Sequence, residues 1–434
     1  MEKQKYHIIN RGGHTIIYDV ESMELYCGDN MLAKELRMLE TQKFETTAFF
    51  NANDIPIEKN DNSKGKARMR RITLCVSNDC NLRCKYCYAN GGNYGKKRHL
   101  MDKKTAKEFV DFCVTNFSSV DTVLFFGGEP LLNYPIIEYV CELFKQYAMR
   151  EDFPLPSFSI ITNGTLCNEK ILRLIRDTIS HITISIDGDK RINDKNRIYK
   201  NGEGSYDKIE RFIFNCKDIP SLKLQFEATY TIEHVKLGIS RYDVSSFLKN
   251  RFGIDGIVVD EDSLDKRMMY DCLCGITKEK LLQTDFECLP LDFWKVMYTV
   301  TTKSPNTFCG MFSDKITITS DGGIAGCQMM IGNDNSIIAH INDTGVLKKI
   351  KRQARDFKNN PACENCWCTA LCGGCVAQKF CPKPYDGIQF LPDHDTCKWT
   401  RLYIEEILYL IFNIRKNKEL WSLFINKAKI RYNS

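Results

Sequence analysis

Histidine is scarce in this chain, with seven in 434 residues, and long apolar runs and a strong charge of either sign are missing as well. The scattered histidines form no second metal site and no convincing acyl-transfer triad, and neither HExxH nor GxSxG occurs. The longest apolar run, Ile407 to Ile414, falls far short of the roughly 20 residues that cross a bilayer, so it reads as a buried helix face. The start, Glu2-Lys3-Gln4-Lys5, has no apolar stretch behind a basic one, and a cytoplasmic protein is expected. A net charge of +6, from 61 basic and 55 acidic residues spread along the chain, argues against nucleic-acid binding. The local basic run Lys64, Lys66, Arg68, Arg70 and Arg71 reads as a solvated linker. With 26 glycines and 12 prolines the chain is too poor in both for a fibrous or disordered protein.

Cysteine is plentiful: there are 21. A reducing compartment disfavours a disulfide framework, which leaves metal binding or catalysis as the use for so many thiols. Their surroundings divide the chain. Residues 1–65 read as a small unit with strand-like runs such as Thr15 to Tyr18, a helical stretch from Met31 to Leu39, and a polar linker from Asn51 to Lys66. Residues 66–265 alternate β-rich and amphipathic stretches. Strands are expected at Ile72–Val76, Thr122–Phe126, Phe158–Ile161, His181–Ile186, Leu224–Tyr230 and Gly256–Val259, with helices between them. Six such units predict an α/β fold, a partial (β/α)6 TIM-like barrel with its chemistry at the C-terminal strand ends. Residues 266–415 become rich in Cys, Gly and Asn and close on a helix near Trp399 to Phe412. Residues 416–434 read as a basic C-terminal tail.

Cys80, Cys84 and Cys87 stand at spacings of four and three residues directly after the first expected strand. Three ligands from one loop can hold three irons of a [4Fe–4S] cube and leave the fourth open to a substrate or cofactor. The competing reading, a closed zinc site, wants a fourth ligand, and His99 is the nearby histidine. Gly127-Gly128-Glu129-Pro130 follows the second strand, where two glycines let a ligand approach the backbone and the carboxylate can accept from an ammonium. A glycine-rich stretch from Gly91 to Lys97 has the wrong spacing for a phosphate loop.

CxxxCxxC with the aromatic Tyr86 before its last cysteine, followed by GGEP, resembles the radical S-adenosylmethionine superfamily. That resemblance implies S-adenosylmethionine chelated by the open iron and reductive cleavage to a 5′-deoxyadenosyl radical. It implies cofactor contacts from Gly127, Gly128 and Glu129, from Asn163 in Thr162-Asn163-Gly164, and from Ser185 and Asp187 in Ser185-Ile186-Asp187-Gly188. Arg197 has the position of the arginine that pairs with the methionyl carboxylate, a geometry suited to a guanidinium fork.

The C-terminal series Cys309, Gly322, Cys327, Cys363, Cys366, Cys372 and Cys397 resembles the SPASM domain, which carries two auxiliary [4Fe–4S] clusters. By position the resemblance implies Cys363, Cys366, Cys372 and Cys397 for the outer cluster, and Cys309, Cys327 and Cys375 for the inner one. Two residues separate Cys372 from Cys375 where the family has three, so Cys381 competes for that place. Cys272, Cys274, Cys288 and Cys368 have no motif slot and read as small buried thiols or bystanders, with a spare cluster ligand as the alternative. If three cysteines serve the inner cluster, its remaining iron could take a substrate thiolate.

The two resemblances together imply a maturase that oxidises a ribosomally made precursor peptide. The expected product is a cysteine thioether, with carbon–carbon crosslinking or sulfatase-type maturation as alternatives, and the expected electron donor resembles flavodoxin or ferredoxin. The N-terminal unit reads either as a reduced leader-recognition domain or as a strand cap on the barrel. The opposing reading, an iron–sulfur or zinc protein that only carries metal or electrons, leaves GGEP, Ser185 to Gly188 and Arg197 without a role.

Overall fold

The computed structural model describes residues 5–28, 67–150, 152–254, 256–260, 270–271, 273–303, 310–358, 363, 365–372, 380–383, 389–392 and 394–433. The Met31–Leu39 helix, the Asn51–Lys66 linker, and Cys272, Cys309 and Cys375 lie outside these residues. Three short strands, β1 (Tyr6–Arg11), β2 (His14–Asp19) and β3 (Glu24–Gly28), form an antiparallel sheet with β2 in the middle. Then come β4 (Arg68–Ser77), β5 (Ser119–Gly127), β6 (Ser157–Thr162), β7 (His181–Ser185), β8 (Lys223–Tyr230) and β9 (Gly256–Asp260). Each pairs in parallel with the next. This is the expected six-stranded partial barrel.

Strand alternation builds its core. Phe226 and Ala228 on β8, like Ile182 and Ile184 on β7, turn outward and are buried against the surrounding helices, while Ser185, Glu227 and Thr229 remain half-exposed on the opposite, inner face. The helices start where capping side chains allow. Asp102, Asn168 and Asp189 each accept a backbone N–H at the N-terminus of the helix that follows, which satisfies a donor the helix itself cannot.

Three strands from the C-terminal region join the same sheet. β10 (Lys315–Ile318) pairs in parallel with β4, and β11 (Gly323–Ala325) and β12 (Ile337–His340) extend it antiparallel, giving the order β12-β11-β10-β4-β5-β6-β7-β8-β9. The region read from sequence as a separate cysteine-rich unit is thus continuous with the barrel through one ladder.

A second apolar core joins the N-terminal sheet to the C-terminal helices. Ile9, Ile16, Tyr18 and Leu25 share it with Phe293, Trp294, Trp367, Ile407, Leu408 and Phe424. The described strands of the N-terminal unit therefore pack on the C-terminal region. Residues 418–433, read as a basic tail, are a helix whose Phe424 is fully buried against Phe286, Phe293 and Trp294. The basic residues of this stretch obscured that apolar face in the sequence. Among the described residues, no helix is long and apolar enough to cross a membrane.

Candidate functional site

The three-cysteine loop lies against the GGEP turn, and glycines make the approach possible. A Cβ on Gly128 would sit 2.3 Å from the Asp79 carbonyl oxygen, and one on Gly92 would sit 2.6 Å from the Gly128 Cα and 2.8 Å from the Cys80 Cβ. Gly127 has φ +143°, and an added Cβ would meet the Ser77 carbonyl oxygen at 2.3 Å. The loop is braced from outside by Arg83, whose Nη1 donates to the carbonyls of Cys80 and Leu82 at 2.6 Å, and by an Arg98–Asp79 ion pair.

Burial pushes the Cys80 thiol up to about 12 and the Cys84 thiol up to about 11, with Arg197 opposing the rise at Cys84. Cys80 Sγ also accepts from the Leu82 N–H at 3.4 Å and from Asn163 Nδ2 at 3.6 Å, donors suited to a thiolate. The Asn163 amide is oriented by its other bonds: Nδ2 donates to Asn81 Oδ1, and Oδ1 accepts from Thr165 N and Oγ1.

Glu129 is wholly buried. Its Oε1 accepts from the Leu131 N–H and Thr162 Oγ1, and its Oε2 accepts from the Asn163 N–H at 2.8 Å. The carboxylate thus ties the ends of β5 and β6 together, and the remaining lone pair of Oε2 is what it has left for an ammonium. Burial raises its pKa, against the pull of those hydrogen bonds.

At the ends of β7 and β8, Tyr86, Asp187 and Arg197 meet. Arg197 Nη1 donates to the Tyr86 hydroxyl at 2.5 Å, and that hydroxyl donates to Asp187 Oδ1 at 3.0 Å. Arg197 Nη1 lies 3.8 Å from the same carboxylate oxygen, which also accepts from the Thr229 N–H. Burial opposes the Arg197 charge, but Tyr86, Cys84 and Asp187 outweigh it and hold the guanidinium charged. Burial raises the Asp187 pKa and Arg197 resists it. Arg197 Nε and Asp187 Oδ2 are buried with no hydrogen-bond partner. An unspent donor and an unspent acceptor within one buried group fit a ligand carrying both a carboxylate and a hydroxyl or ammonium. The methionyl and ribose ends of S-adenosylmethionine have those groups.

Sequence reasoning passed over three residues of this site. Asn81 and Thr165 fix Asn163, as above, and no motif marks them. His234, fully buried, accepts the Thr231 N–H at Nδ1, which leaves Nε2 to donate to the Asp187 carbonyl at 2.8 Å. Its signal was the Thr231-x-x-His234 capping pattern. Glu227, which had no context in the sequence, pairs across the β7–β8 ladder with Ser185 on the inner face, with its pKa raised by burial against the influence of Arg197.

The C-terminal cysteines fall into two packing environments. Cys327 and Cys363 pack against the barrel core, and Cys366 and Cys372 against the second core. Cys397 lies half-buried on the helix His394–Lys416. Among the described residues, no three His, Cys, Asp or Glu side chains close round a point as they would on one bound ion.

Residues 74–222 match the family model of the Radical SAM superfamily. An uncharacterised protein of Methanocaldococcus jannaschii is 41% identical over 137 residues, 32% of this chain and 45% of that protein. The radical SAM cyclopropyl synthase TigE of Paramaledivibacter caminithermalis is 23% identical over 395 residues, 83% of this chain and 77% of that protein. The chain therefore spans less than half of the first relative and about three quarters of the second. Among solved structures, anSMEcpe with bound AdoMet superposes with a TM-score of 0.62 at 18% identity, covering 82% of this chain and 98% of that one, a likeness of fold. The cysteine loop and the GGEP turn both lie inside the span, residues 74–222, that matches the Radical SAM superfamily.

Proposed function

We propose that this chain is a radical S-adenosylmethionine enzyme that matures a ribosomally synthesised peptide. The observation that carries the cofactor half is the dry group of Arg197, Asp187 and Tyr86, with its unspent donor and acceptor, beside the three-cysteine loop. The substrate half is supported by the similarity to TigE along most of both chains and by the fold shared with anSMEcpe, one of whose structures holds a Kp18Cys peptide.

Bound together, S-adenosylmethionine and a [4Fe–4S] cluster supply a 5′-deoxyadenosyl radical that takes a hydrogen atom from carbon. Cys80, Cys84 and Cys87 would hold three irons. Arg197 would pair with the methionyl carboxylate, Oε2 of Glu129 would accept from the ammonium, and Asp187 Oδ2 and Ser185 would take hydroxyls. Asn163 and the Leu82 N–H soften the charge on the Cys80 sulfur, and His234 holds the Asp187 turn in place. Cys309, Cys327 and Cys375, with Cys363, Cys366, Cys372 and Cys397, would serve two auxiliary clusters, and an electron donor such as flavodoxin or ferredoxin would reduce the enzyme.

A thioether from a peptide cysteine is our proposed product. Carbon–carbon bond formation is the second reading, favoured by the similarity to a cyclopropyl synthase. Either bond removes two hydrogens. Co-expression with a short cysteine-containing peptide separates them: a thioether gives the two-hydrogen mass loss and one cysteine that resists alkylation. The same mass loss with every cysteine still alkylated assigns the carbon–carbon product.

A further inference from the structure

Among the described residues, Glu129, Asp187 and Glu227 bring carboxylates to the site, and the first two are already committed. Glu129 spends its oxygens on the Leu131 and Asn163 N–H groups and the Thr162 hydroxyl, and Asp187 Oδ1 takes the Tyr86 hydroxyl and the Thr229 N–H. Glu227 differs. Among the described residues its carboxylate has no hydrogen-bond donor and no ion-pair partner, and Arg197 and Asp187 act on it through space alone.

Its place is nevertheless fixed. Glu227 pairs with Ser185 across the β7–β8 ladder, and its backbone carbonyl accepts the Ile186 N–H at 3.0 Å, so the end of β7 holds it. Strand alternation turns the side chain to the inner face, at the height of Ser185, the residue proposed above for a cofactor hydroxyl. A half-buried, unspent carboxylate on a rigid strand is well placed to meet a substrate beside that cofactor. Burial raises the Glu227 pKa, Arg197 opposes the rise and Asp187 adds to it. The ionised carboxylate is thereby a stronger base than an ordinary surface glutamate. Tyr86 and His234, the other titratable groups here, both bond to Asp187.

The proposed reaction needs such a base. Abstraction by the 5′-deoxyadenosyl radical leaves a carbon radical on the peptide. When a peptide thiol joins that carbon, a C–S bond forms and the S–H bond breaks, releasing one proton and one electron. The electron goes to an oxidised four-iron cluster of the enzyme. We propose that Glu227 accepts the proton. The carbon–carbon product would release the same pair from a C–H bond, so the role holds for either bond. It rests on the peptide-maturing function proposed above and assigns a residue to its second half.

The test compares the anaerobically reconstituted full chain with E227Q and E227D, using a short cysteine-containing peptide deuterated on carbon. E227Q is expected to lose crosslinked peptide by about a hundredfold or more. Its S-adenosylmethionine affinity should stay within about twofold of wild type, and deuterium should still pass from the peptide to 5′-deoxyadenosine. E227D, which keeps the charge on a shorter stem, should regain part of the product. Wild-type crosslinking in E227Q overturns the proposal. A fall in S-adenosylmethionine affinity that matches the loss of product also overturns it, since Glu227 would then be a contact of the cofactor.

Infrared difference spectra, wild type minus E227Q, give a readout that needs no peptide. A Glu227 carboxyl band gone by about pH 8 supports the assignment, and one that persists there overturns it, because a protonated carboxyl cannot take up the proton. Should E227Q fail to fold, E227A replaces it in both measurements. A wild type that makes 5′-deoxyadenosine and modifies no peptide counts against the proposed function, and the infrared titration still judges Glu227.

Discussion

Glu129 and the loop thiols show how single residues serve both fold and site. Replacing Glu129 with Ala leaves the buried N–H groups of Leu131 and Asn163 unpaired, and we expect a loss of about 2–4 kcal/mol, read as a lower urea midpoint, in addition to weakened cofactor binding. Arg197→Lys keeps the charge but loses the planar fork. We expect S-adenosylmethionine affinity measured by calorimetry to fall about tenfold or more with the fold intact. The loop thiols make the iron-free protein sensitive to alkali. Between the ordinary 9.0 and the raised values of about 11 and about 12, folded Cys84 and Cys80 keep protons that the unfolded chain has released. Their stabilising contribution is complete below about pH 9 and is lost as pH climbs through that window. Urea melts of iron-free protein at about pH 8 and about pH 10 should show the drop, and a C80A/C84A variant should show less of it.

Among the elements, those with a strong local signal were legible in the sequence. The six barrel strands fall where alternation and β-branched runs place them, and the amphipathic helices between them agree to within a few residues because caps such as Asp102 and Asn168 mark their starts. The cysteine loop, GGEP and Arg197 were legible as motifs because their chemistry depends on spacing along the chain. Glu227 and His234 were not, since their roles arise from strand pairing and a turn that bring them to Asp187 and Arg197. The three short strands that extend the sheet were missed, being only three or four residues long. The C-terminal helix was taken for a tail because its charges obscured Leu420, Phe424 and Ala428. Phe424→Ala should cost about 3–5 kcal/mol, the usual toll of emptying an aromatic site in a core, seen as a lower urea midpoint. An unchanged midpoint would mean that this helix does not pack as described.

For the molecule as a whole, the two cores divide the labour. The barrel core shapes the cysteine loop and the Arg197–Asp187 pair, while the second core fastens the N-terminal sheet and the C-terminal helices around Cys366, Cys368 and Cys372. Residue spacing pointed to the first assembly, and contacts hundreds of positions apart, such as His7 with Trp367 and Glu405, create the second. The central claim concerns the first. The most direct measurement is 5′-deoxyadenosine released from S-adenosylmethionine by the anaerobically reconstituted, chemically reduced protein, set beside a C80A/C84A/C87A variant. The account predicts 5′-deoxyadenosine and methionine in equal amounts from the wild type and none above background from the variant. A wild type that holds a four-iron cluster on this loop and yet yields no 5′-deoxyadenosine, or a variant that yields as much as the wild type, would contradict it.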